Sequence, residues 1–95
     1  MDRAEINSTI INYLDQYNPD RIGIFGSFAR KEDTPESDID ILVRFKLTIS
    51  LFDLVKIERE LSSLLGKKVD LVTEPALKNE KLKHYIYKDL QIIFE

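Results

Sequence analysis

The chain has 95 residues, 43% hydrophobic and 33% charged, proportions that exclude a disordered polymer and predict one domain over residues 1–95. Fourteen basic residues against seventeen acidic ones give a net charge of −3, so direct nucleic-acid binding is not expected of a chain that is not basic. The absence of cysteine excludes a disulfide framework, a thiolate zinc site and a cysteine nucleophile, and the lone His84 cannot build a multi-histidine metal centre.

The N-terminal MDRAEINSTI has no basic region followed by an apolar stretch, so no secretory leader is expected. Ile6, Ile10, Leu14 and Tyr17 recur at helical spacing and predict a helix over residues 2–17, with Asp2 and Glu5 as a capping box and Asn18-Pro19 as its stop. RIGIFG (21–26) reads as a buried strand ending in a tight Gly26-Ser27 turn, and Phe28–Arg30 starts a short helix. Residues 31–37, polar and containing Pro35, form a loop. Ile39–Phe45 is the second strand. A helix follows from Leu51 to Leu65, capped by Ser50 with Asp53 and stopped by Gly66; Glu58 is the one polar intruder on its apolar stripe. Residues 68–73 form the third strand, Pro75 opens a helix that runs to about Lys88, and residues 90–94 close as a strand. The order predicts an α/β (α+β) domain, a small mixed sheet with helices packed on one face. Apolar runs are too short to span a membrane, and a soluble cytoplasmic protein is expected. A chain this short buries only about 60–65% of its unfolded surface, so a homodimer or hetero-oligomer is compatible with its thin core.

Three features carry chemistry. Residues i and i+2 of a strand share a face, so Asp38 and Asp40 project together, away from Ile39, Ile41 and Val43. Asp70 interrupts an apolar strand, where an unpartnered charge is costly. With the third strand beside the second, about 4.8 Å away, Asp70 joins the pair. Three such carboxylates could hold two Mg²⁺ ions about 3.5–4 Å apart, the separation used for in-line phosphoryl transfer. Gly26-Ser27 at a strand end lets backbone approach a phosphate and aims free N–H groups at it, and Arg30 could contact the leaving pyrophosphate or anchor the turn. Taken singly, Asp-x-Asp reads as a solvated strand end, Gly-Ser as an ordinary turn, and Asp70 as an edge residue or the ion-pair partner of Lys67 or Lys68; their compatible order makes the set informative.

GSFARKEDTPESDIDILV, a Gly-Ser followed ten residues later by Asp-x-Asp, resembles the signature of the polymerase-β-like nucleotidyltransferase superfamily. SLFDLVKIERELSSLLGKKVDLVT is similar to the minimal, MntA-like nucleotidyltransferases, often paired with HEPN-domain ribonuclease toxins. The resemblance covers residues 21–95 and implies a nucleotidyltransferase fold. It implies that Gly26 and Ser27 bind the triphosphate of ATP, that Asp38 and Asp40 coordinate Mg²⁺, and that Asp70 completes the metal site and helps deprotonate the attacking hydroxyl. It further implies the antitoxin of a type VII toxin–antitoxin pair, which AMPylates a tyrosine of its HEPN partner. The chain departs from the family at Lys31, where a glycine is frequent, and at Arg44, where an acid is frequent; neither is an expected metal ligand. Two rival readings are a non-catalytic antitoxin that blocks the toxin by binding and a nucleotidyltransferase acting on a small, antibiotic-type hydroxyl compound. Tyr13, Tyr17, Tyr85 and Tyr87 are expected to pack rather than stack on a base, and His84 with Lys78, Lys81, Lys83 and Lys88 to form a solvated helix face, a basic stretch also suited to docking an acidic surface.

Overall fold

The computed structural model describes residues 1–95. Helix α1 spans Arg3–Leu14 and begins with the expected reciprocal capping box between Asp2 and Glu5. Its stripe of Ile6, Ile10 and Leu14 is buried. The α-helix stops earlier than the apolar spacing predicts, because Asp15–Tyr17 tightens into a 3₁₀ turn and Asn18 takes a left-handed conformation, φ 53°, that launches the next strand. Strand β1, Pro19–Phe25, runs into helix α2, a single turn at Gly26–Ala29. Strand β2 spans Ile39–Phe45 and helix α3 spans Leu51–Leu65, both with the expected bounds. At the start of α3 the Ser50 hydroxyl accepts the Asp53 N–H at 3.1 Å, the forward half of a capping box. Strand β3 is Val69–Thr73.

The largest departure from expectation follows Pro75. Residues Glu74–Ala76 make only a 3₁₀ turn, Leu77 returns to extended backbone, and helix α4 starts at Glu80 and ends at Lys88. Asn79 sets that start, its side chain accepting the Leu82 N–H at 3.1 Å, a stronger N-terminal signal than Pro75. Strand β4, Gln91–Phe94, closes the chain.

The sheet order is β3-β2-β1-β4. β1 is antiparallel to both β2 and β4, whereas β2 and β3 are parallel and joined by α3 as the crossover. α1 and α3 cover one face: Ile10, Leu14, Ile57 and Leu61 pack there with Ile22, Ile24, Ile39, Ile41 and Val43, all buried. The expectation of helices on one face holds for these two long helices. The opposite face is partly covered too, because Leu77 and Ile86 of α4 pack on Phe25 and Leu42, with Val72 and Leu90 at the edge. Alternation along β2 and β3 therefore puts Asp40 and Asp70 on the α4 side of the sheet, in line with Leu42 and Val72.

Candidate active site

The parallel register sets Asp40 directly beside Asp70, while across the other ladder Asp40 faces Phe25, the last residue before Gly26. Asp38 lies just ahead of β2, and Ile39 N–H donates to the Lys68 carbonyl at 2.9 Å, which starts the β2–β3 pairing next to it. Three strand ends thus bring together what the sequence singled out: Gly26-Ser27 after β1, Asp38 and Asp40 at the head of β2, and Asp70 near the head of β3.

Gly26 is fixed by two constraints. Its φ is +75°, the left-handed region, and a Cβ built on it would lie 2.2 Å from Asp40 Oδ2. Only glycine lets the Asp40 carboxylate rest against the turn. The single turn of α2 that follows has Arg30 N–H bonded back to the Gly26 carbonyl at 3.1 Å.

The carboxylates feel one another. Burial, followed by the like charges of Asp70 and Asp38, pushes the Asp40 carboxyl up to about 6, with Arg30 pulling the other way. Asp70 is also raised, first by burial and then by the neighbouring Asp38 carboxyl, while Lys68 opposes the shift. The Lys68 ammonium lies 3.8 Å from both Asp38 Oδ2 and Asp70 Oδ1 and bridges them. As they stand, the acids do not form a closed cage of three ligands around one point. The donor set nonetheless fits a hard divalent cation. All its donors are carboxylate oxygens, at least two are raised by burial and then by their acidic neighbours, and a monovalent ammonium already spans two of them.

Arg30 sits beside the turn but is engaged elsewhere, donating to Asp89 at 3.0 Å and to Glu32 at 3.2 Å. It anchors the turn to the α4–β4 junction, helped by Gln91, whose amide donates to the Ala29 carbonyl at 3.0 Å. A phosphate approaching Arg30 would have to compete with these two carboxylates. Ser27 is half-buried beside Gly26. His84, Tyr85 and Tyr87 are exposed on α4 along with most of its lysines, and Tyr13 instead donates to Glu60 between α1 and α3. Lys68 is one of the two lysines offered to Asp70 as an ion-pair partner, and the structure makes that pair; Asp89 was not singled out from sequence. The signal for Lys68 is its i−2 position to Asp70 on one strand side; Asp89 carries none, because its partner lies 59 positions away.

A depression lined by Phe45, Leu47, Ile49 and Leu54 lies at the opposite end of the sheet. Asp38 and Asp70 keep 36% and 44% of their side-chain surface exposed, so the acidic site opens to solvent.

The profile of the family described as Polymerase beta, Nucleotidyltransferase matches residues 8–95. One of several candidate protein adenylyltransferases of Methanocaldococcus jannaschii is 43% identical over 90 residues, covering 90% of this chain and 97% of that one. The protein adenylyltransferase MntA of Thermococcus cleftensis is 47% identical over 58 residues, 61% of this chain and 59% of that one. Among solved structures, a toxin–antitoxin with AMP-PNP aligns with a TM-score of 0.83 at 24% identity, covering 93% of this chain and 72% of that one. A tri-AMPylated Shewanella oneidensis HEPN toxin in complex with MNT antitoxin aligns at 0.79 and 22% identity, covering 98% and 72%. These two likenesses establish a common fold.

Proposed function

This chain belongs to the polymerase-β nucleotidyltransferase family, and from that premise we propose that it transfers AMP from ATP to a hydroxyl, a tyrosine, of a partner HEPN ribonuclease and so acts as the antitoxin of a type VII pair. The observation that carries the reading is the register of Asp40 beside Asp70, with the Asp40 carboxylate seated on Gly26. The relatives named for protein adenylylation, and the fold shared with an antitoxin bound to an AMPylated HEPN toxin, support the acceptor class. So does the open site, since a domain with no enclosed acceptor pocket suits a hydroxyl presented by another macromolecule.

In this reading the Gly26-Ser27 turn holds the triphosphate through backbone N–H groups and the Ser27 hydroxyl. Asp38, Asp40 and Asp70 would hold Mg²⁺, whose chemistry there would be to neutralise phosphate charge and polarise the α-phosphate. The acceptor oxygen attacks the α-phosphorus, one P–O bond forms as the bond to the β-phosphate oxygen breaks, and pyrophosphate leaves with the bonding electrons. Asp70 takes the hydroxyl proton. Arg30 keeps the turn in place through Asp89.

The test is transfer of label from α-labelled ATP, with Mg²⁺, to a HEPN ribonuclease supplied as the acceptor. The partner should gain mass in AMP units, and Asp38→Asn or Asp40→Asn should abolish the gain with the fold intact. A stable complex whose partner keeps its unmodified mass would support inhibition by occlusion. Transfer only to small hydroxyl compounds would support the antibiotic-type activity. Undiminished transfer by either variant would remove the metal assignment.

A further inference from the structure

Strand β3 lies at a sheet edge, and its outward amides are met by side chains rather than by another strand. Val69 N–H donates to Ser62 Oγ at 2.9 Å, and Leu71 N–H donates to Glu58 Oε2 at 2.8 Å. The Ser62 hydroxyl in turn donates to the Glu58 carbonyl at 2.6 Å. The two acceptors are one helical turn apart on α3, a rise of about 6 Å. The two donors are two strand residues apart, a span of about 6.6 Å. The match lets one face of a helix read a strand edge at two points. Those points are the residues on either side of Asp70.

We propose that Glu58 and Ser62 are positioning residues that fix the backbone flanking Asp70 and thereby hold its carboxylate in register with Asp40 for the divalent cation. The inference rests on the metal-dependent reading of the site above. It also accounts for Glu58, the polar intruder on the apolar stripe of α3. A carboxylate there is not a packing residue; one of its oxygens serves as the hydrogen-bond partner of an edge amide that would otherwise invite foreign strands. Only the hydrogen-bond acceptor is needed, so an amide should serve as well as a carboxylate.

The experiment uses the full chain with Mg²⁺ and AMP-PNP as probes. It measures the apparent Mg²⁺ affinity by calorimetry in saturating AMP-PNP, and amide exchange at Val69 and Leu71 by NMR. Glu58→Ala should speed exchange at Leu71 at least tenfold and weaken Mg²⁺ about tenfold, and Glu58→Gln should restore both to within about threefold of the parent. Ser62→Ala, which removes an acceptor but no charge, should act likewise at Val69 and decides the question if Glu58→Ala does not fold. Faster exchange with unchanged Mg²⁺ affinity would reduce the contacts to simple support and overturn the proposal. A Glu58→Gln variant as impaired as Glu58→Ala would overturn it in favour of a charge effect. If the parent chain shows no Mg²⁺-dependent AMP-PNP binding, the metal reading fails and the proposal with it, even where exchange responds; metal binding in the parent with unaltered exchange in the variants condemns the proposal alone.

Discussion

Gly26 and Asp40 share one small volume, and the site depends on how they divide it. Gly26→Ala would put a methyl group where Asp40 Oδ2 now lies, on a backbone of φ +75°. The carboxylate end can swing aside, so the stability cost should be mainly the left-handed backbone, about 1–2 kcal/mol. The displaced ligand should cost more in function, about a hundredfold in AMP transfer, read from the same labelled-ATP assay. Gly66 is the control: its φ is +67° with nothing within 4 Å of a built Cβ, so Gly66→Ala should lower the melting temperature without a comparable loss of transfer. Asp40 also makes stability depend on pH. Its folded carboxyl titrates near 6 and its unfolded one near about 3.9. Between those values the folded chain keeps a proton that the unfolded chain has lost, so without divalent cation stability should fall as pH rises from 4 to 6. Asp40→Asn removes this penalty and should raise stability at pH 7 by about 1–2 kcal/mol after allowance for solvent screening, with little gain at pH 4. Urea melts at the two pH values check the sign.

The elements show which sequence signals win locally. β2 and α3 were legible to the residue, because a run rich in branched and apolar residues fixes one and a cap at Ser50 with a stop at Gly66 fixes the other. The stretch after β3 was misread because Pro75 is compatible with both an α-helical first turn and a 3₁₀ turn. The start is set instead by Asn79, whose side chain caps α4, and extended Leu77 buries its side chain against Phe25 and Leu42. Asn79→Ala should therefore destabilise the chain by about 1 kcal/mol, seen as a lower urea midpoint with an unchanged slope; no loss would mean that tertiary packing alone starts the helix. The end of α1 was overrun for the opposite reason. Tyr17 continues the apolar spacing, but the turn that Asn18 must make tightens the last residues into a 3₁₀ turn.

At the scale of the molecule, the alternation of β2 placed Asp38 and Asp40 on one side, and the apolar context of Asp70 flagged it as needing company. Neither could show that α4 covers part of the same sheet face, since Ile86, its one buried residue, stands in a basic helix beside Leu82, Tyr85 and Tyr87, which stay exposed. The Arg30–Asp89 link was equally hidden, because only the docking of β4 beside β1 brings Asp89 to the turn.

The parallel pairing of β2 with β3 has a further consequence. Parallel neighbours cannot meet through a tight hairpin, so the chain must complete and dock a whole helix before Asp70 arrives beside Asp40. A ribosome-bound fragment that has emerged only through β2 carries two of the acids and the glycine turn but no third acid. On the proposed role of Asp70, transfer would begin only after the crossover has closed, and an incompletely matured copy would label nothing.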